Sequence, residues 1–113
     1  MARTRLREWM AFISTEVHKG FGPLFNPSMT EELKAMARTK LAGRLEWIVA
    51  QLGDKTYLTG DTFTIADAYL FTVLGWGKWT GVDISQWPAL VRYVERIAAR
   101  PKVIEAMAAE AAA

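Results

Sequence analysis

The chain has 113 residues, enough for one hydrophobic core and too few for a second. Hydrophobic residues make up 51% and charged residues 23%, and the sequence pI of about 9.1 reflects a formal charge of only +2 with basic and acidic residues interleaved, so nucleic-acid binding is not indicated. The absence of cysteine and the single histidine exclude a disulfide scaffold, a thiolate or histidine-cluster metal site, and a cysteine nucleophile within this chain.

The N-terminus carries no apolar signal segment, and the longest apolar run falls short of the ~20 residues that a membrane span needs, so the sequence reads as cytoplasmic with no membrane partner. From Arg3 to about Lys19, the residues Leu6, Trp9, Met10, Ile13 and Val17 recur at helical spacing and predict a helix with one inward face. Arg3, Arg5 and Arg7 form a local basic cluster that reads as a solvated face. A second stripe, Arg7, Ala11, Ser14, Thr15 and His18, is small and polar and ends in an imidazole, so a backbone or a ligand could approach closely there. His18 and Lys19 before Gly20 are also a helix-stop signal, cations on a C-terminal dipole with a permissive residue after them, and both readings stay open.

Pro23 and Pro27 bracket a loop, after which Ser28 and Glu31 offer a capping box with Thr30 as a rival cap. A long helix follows with the stripe Leu33, Met36, Ala37, Leu41, Leu45, Ile48, Val49 and Leu52, ended by Gly53 and Asp54. Leu58 to Asp61 is turn-rich, and no strand is assigned to it. Thr64 is then a good N-cap: its hydroxyl suits the Asp67 amide, and the Asp67 carboxylate can reach back to the Thr64 amide. The accompanying hydrophobic staple is weak, because Phe63 faces only Ala68. From Ile65 to Trp76 only Asp67, Thr72 and Gly75 interrupt the apolar run, which predicts a central helix that the others wrap. Gly75, Gly77 and Gly81 loosen or stop it, and Trp76, Trp79 and Trp87 gather at that exit as core filling or as pocket lining. Pro88 starts a helix with the stripe Leu90, Val91, Val94, Ile97 and Ala98. Arg100 and Pro101 break it, and a short helix from Val103 to about Met107 runs into a fraying alanine-rich tail. Periodicity and capping together predict an all-α domain, an orthogonal bundle of about five helices spanning residues 1–113, with no repeat or linker.

Two stretches carry a family resemblance. Gly60-Asp61-Thr62-Phe63-Thr64-Ile65-Ala66-Asp67-Ala68-Tyr69-Leu70-Phe71 resembles the N-capping box of the central helix in the C-terminal domain of glutathione transferases. Glu8-Trp9, followed by Phe12-Ile13-Ser14-Thr15-Glu16-Val17-His18-Lys19-Gly20-Phe21, is similar to the first helix of that domain in the bacterial beta class. The resemblance implies that Thr15, Glu16, Val17 and His18 face glutathione, with His18 and Lys19 as the catalytic pair beside a cysteine supplied by an N-terminal thioredoxin-like domain. Ala11 stands where some members carry asparagine, which removes a side-chain hydrogen bond to the tripeptide. The implied function is conjugation of glutathione, a co-substrate rather than a bound cofactor, to hydrophobic electrophiles. The implied assembly is a homodimer through the first two helices, with Trp9 and Phe12 as candidate surface, and with the thioredoxin-like domain lying outside this chain. The alternative is a stand-alone interaction module without catalysis, since similar domains serve as docking units.

Overall fold

A computed structural model describes residues 2–112, except the side chains at 2, 3, 107 and 110–112. The expectations for the side chains of Arg3 and Met107 lie outside the described residues. Helix α1 (Ala2–Phe12) widens into a π-helical turn (Ile13–His18), narrows through α2 (Lys19–Phe21) and closes in a 3-10 turn (Gly22–Phe25). Then come α3 (Glu31–Leu52), α4 (Ile65–Leu74), α5 (Gly77–Thr80), a 3-10 turn (Ile84–Gln86), α6 (Pro88–Ala98) and α7 (Pro101–Ala112). The domain is all-helical, as its sequence predicts, and α1, α3, α4, α6 and α7 are its long elements. Among the described residues the only extended pairing is an isolated bridge between Tyr57 and Gly60.

The π turn has a cause in the sequence. Trp9, Ile13, Val17 and Phe21 are spaced by four and are all buried, at 6%, 0%, 0% and 0% exposure. In a regular α-helix each such step drifts about 40° around the axis, so three steps would carry the row about 120° away from its starting face. The wider turn, in which the Lys19 amide donates to the Ser14 carbonyl, takes up that drift and keeps the row inward. Gly20 does not stop this helix, contrary to the C-terminal signal in the sequence. The chain stays helical past it, and a methyl group at Gly20 would lie 3.1 Å from Leu41 Cδ1, so the residue serves close packing against α3.

Thr30 wins the competition to cap α3, accepting the Leu33 amide at 3.2 Å. The inner stripe begins late: Leu33 and Met36 are 47% and 62% exposed, whereas Leu41, Leu45, Ile48 and Leu52 are buried. At 22 residues α3 is about 33 Å long, twice its neighbours, and its first turns overhang the bundle.

Helix α4 packs between the π turn and α6, burying Ala66, Asp67, Leu70, Val73 and Leu74. It is not wrapped on every side. Ile65 is 63% exposed, and Ala68, Phe71 and Thr72 line an open apolar groove of about 880 Å³ shared with Val94 of α6 and Val103 of α7. The capping box forms as expected, with the Thr64 amide donating to Asp67 Oδ2 at 2.9 Å, while the Thr64 hydroxyl accepts the Ala66 amide at 3.3 Å. The sequence hides the other half of the arrangement. Asp67 is fully buried, and its Oδ1 accepts the Leu58 amide at 3.0 Å and the Tyr93 hydroxyl at 2.7 Å, tying the preceding turn and α6 to the central helix. Phe63 finds its clasp in Tyr57, edge-on with ring centroids 5.6 Å apart, and in the Arg100 guanidinium 4.1 Å from its ring, rather than in Ala68.

At the exit of α4 the three tryptophans take different roles. Trp87 is in the core, Trp76 is half-buried, and Trp79 is 69% exposed, so core filling does not describe all three. Arg38 Nε donates to the Thr80 carbonyl at 2.8 Å and pins α5 to α3. Helix α6 starts on Pro88 and buries Leu90, Tyr93 and Ile97. Helix α7 begins at Pro101, two residues before the expected start, because proline suits a first turn, and it extends through the alanine-rich segment to Ala112.

Candidate functional site

The π turn holds most of the residues singled out in the sequence, and such turns recur at functional sites because they re-aim side chains without ending the helix. Ala11 and Thr15 are exposed one turn apart, and the Thr15 hydroxyl donates to the Ala11 carbonyl at 2.8 Å. Glu16 is half-buried and accepts Arg44 Nε from α3 at 3.2 Å, which fixes its carboxylate. The Val17 side chain is fully buried, so only its main chain can meet a ligand. His18 and Lys19 are exposed at the end of the turn.

The His18 imidazole is held in place by other elements. Its Nδ1 lies 2.5 Å from the Tyr69 hydroxyl of α4, and its ring meets that of Trp76 edge-on with centroids 5.0 Å apart. Trp76 is the hub of this corner, also meeting Phe21 and Phe25 edge-on at 5.8 and 5.7 Å. His18, Gly22, Phe25, Trp76 and Trp79 line a shallow pocket of about 420 Å³. Phe25 and Trp79 are 51% and 69% exposed, an apolar surface open on one side, and Lys78 Nζ lies 4.5 Å from the Trp79 ring.

The structure therefore brings His18 to the wall of an aromatic pocket, while Lys19 is exposed beside it in the chain, and Ala11, Thr15 and Glu16, which precede them along the same helical stretch, do not line that pocket. Sequence reasoning missed Tyr69, which reads as one more member of an apolar run, and Phe25, which reads as loop. Chemically, the corner offers flat apolar faces for an aromatic or alkyl group, the His18 imidazole, and the Lys78 ammonium beside Trp79. Among the described residues no group of three or more His, Cys, Asp or Glu is placed to hold a metal ion, and no helix is long and apolar enough to cross a membrane. A pocket with one open side covers only part of a small ligand, well short of the enclosure typical of a complete site.

Residues 12–101 match the family described as glutathione S-transferase, C-terminal domain. The chain is 40% identical over 110 residues to the glutathione S-transferase GstA of Escherichia coli O157:H7, covering 97% of this chain and 55% of that protein. The solved glutathione S-transferase of a sphingomonad, complexed with glutathione, superposes with a TM-score of 0.93 at 37% identity, over 100% of this chain and 56% of that one. The bacterial beta-class glutathione S-transferase of Sphingomonas chungbukensis gives 0.90 at 41% identity, over 97% and 55%. The chain thus spans about half the length of the relatives it matches.

Proposed function

The chain belongs to the glutathione S-transferase C-terminal domain family, and on that basis we propose that it is the helical half of a beta-class-like transferase that conjugates glutathione to hydrophobic electrophiles. What supports this reading is that His18 lines an aromatic pocket open on one side, with Lys19 the next residue along the chain and exposed. A site shared by two domains needs such an opening. In this reading the electrophile rests on Trp76, Phe25 and Trp79. A thioredoxin-like domain supplies the reactive cysteine and most of the glutathione contacts. Thr15, Glu16, Ala11 and the Val17 main chain face the peptide, and the His18 and Lys19 groups stabilise the thiolate.

The same reading has two copies pairing through α1 and α3. There Trp47, 47% exposed, meets Phe12 edge-on and Trp9 at a tilt, with ring centroids 4.5 and 5.7 Å away. Trp9 itself is buried, so the surface offered to a second copy is Phe12 and Trp47, with Trp9 as their backing.

Conjugation assays test the division of labour. The chain alone is expected to give no measurable turnover with a generic electrophile and at best millimolar glutathione binding, about 4 kcal/mol. A beta-class thioredoxin-like domain added in trans is expected to restore activity, and His18→Ala or Lys19→Ala to alter it. Turnover by the isolated chain that saturates in glutathione would refute the shared site.

A further inference from the structure

The contact between Tyr69 and His18 joins residues 51 positions apart and fixes the one exposed imidazole of the domain to its central helix. We propose that Tyr69 is a positioning residue that keeps the proton of neutral His18 on Nε2, so that the imidazole offers a fixed N–H donor to a bound thiolate and does not act as a base. The use of that donor on a thiolate rests on the transferase reading above.

The assignment follows from proton counting. A phenol hydroxyl can donate or accept, and the imidazole Nδ1 is an acceptor in one neutral tautomer and a donor in the other. The Tyr69 hydroxyl has no other hydrogen-bond partner among the described residues, and of the two senses that its 2.5 Å contact with Nδ1 allows, O–H to Nδ1 pairs the more acidic donor with the more basic acceptor and is the one assigned here. Neutral imidazole carries a single proton, which must then sit on Nε2. If His18 is protonated, Nδ1–H donates to the Tyr69 oxygen instead and Nε2–H remains a donor. In both states the outward nitrogen donates, and in neither is it free to accept. The ring cannot easily turn to exchange its nitrogens, because the rings of Trp76 and Tyr69 stand nearly perpendicular to it, at 76° and 77°. Tyr69 is itself anchored, lying two residues beyond Asp67 in α4, whose carboxylate is tied to three other segments of chain.

Because the chain has one histidine, the ring nitrogens of the ¹⁵N-labelled protein can be read without assignment ambiguity. Long-range ¹H–¹⁵N correlation, recorded at a pH high enough that the two ring-nitrogen shifts no longer change with pH, reports the neutral tautomer. The expected result is a protonated Nε2 and an unprotonated Nδ1 in the parent, with Tyr69→Phe moving both nitrogens toward the averaged values of a free imidazole. A proton on Nδ1 in the parent, or a Tyr69→Phe spectrum identical to the parent's, overturns the proposal. In the two-domain enzyme Tyr69→Phe should lower kcat by about tenfold, and add nothing once His18→Ala is present. Independent, multiplying losses would also overturn it. The tautomer is read without glutathione. An inactive two-domain parent would therefore count against the transferase reading, whereas a wrong tautomer counts against Tyr69 alone.

Discussion

Replacing Asp67 with alanine should be among the most damaging single changes in this domain. Its carboxylate accepts four hydrogen bonds, from the Thr64 amide, the Thr64 hydroxyl, the Leu58 amide and the Tyr93 hydroxyl. Leu58 and Tyr93 are fully buried, so their donors cannot turn to water, and each orphaned group costs about 1–3 kcal/mol. The Thr64 groups are half-buried and can rehydrate, and losing the helix-dipole partner adds about 0.5 kcal/mol. Removing a buried charge relieves its desolvation, which offsets part of the loss. The net expectation is about 4 kcal/mol, a large share of the ~5–15 kcal/mol that holds a domain together. With a urea slope of about 2 kcal/mol per molar, the midpoint should fall by about 2 M. Asp67→Asn should lose about half as much, because one oxygen can still accept from Leu58 and Tyr93 while the amide NH₂ confronts the Thr64 donors. Equilibrium urea melts followed by tryptophan fluorescence measure all three proteins. A midpoint for Asp67→Ala within about 0.5 M of the parent would show that the buried donors find other partners and that the reasoning is wrong.

Thr64→Ala removes the cap but leaves the carboxylate, and should cost about 1 kcal/mol in the same melts. Burial first, and the Asp67 charge beside it, push the Tyr93 phenol above its ordinary value of 10.0, so its contribution to stability is full below about pH 10 and is lost as pH rises beyond it. Tyr93→Phe should therefore be less stable at pH 7 yet decline less steeply above pH 10, by about 1.4 kcal/mol per pH unit, as read from melts between pH 7 and 11. Gly77→Ala should cost about 1–3 kcal/mol by thermal melting, because its new methyl group would press on the Val82 carbonyl, a main-chain atom that cannot swing aside. Sedimentation velocity at micromolar concentration should show a homodimer that Trp47→Ala weakens, and monomer alone at those concentrations would count against pairing through α1 and α3.

Local chemistry was legible in the sequence, and contacts between distant segments were not. The Thr64–Asp67 box is a relation over three residues and could be read directly, whereas the Leu58 and Tyr93 ends of the same network lie 9 and 26 residues away. Tyr93 falls on the inner face of α6, yet nothing in its periodicity says that its hydroxyl has a buried acceptor waiting. Exposure of Trp79 beside buried Trp87 depends on how α5 turns, which composition does not encode. The outward start of α3 is a matter of its length against shorter neighbours, so a stripe that is continuous in sequence is only partly covered in space. At the site, the resemblance singles out His18 and Lys19 by their positions in the chain, while Tyr69 and Phe25 emerge as neighbours of His18 only when α4 and the turn after α2 meet.

The π turn fixes a direction by counting. Adding a further residue between Ile13 and His18, beyond the surplus that the widened turn already takes up, would rotate everything after it by about 100° about the helix axis, swinging His18 away from Tyr69 and Phe21 out of the core. Substitutions, by contrast, leave the count unchanged. The angle between the Phe12 face and the His18 rim is therefore a whole-number property of the chain, insensitive to gradual drift. Either surface can change its side chains for a new neighbour or a new ligand without disturbing the bearing of the other.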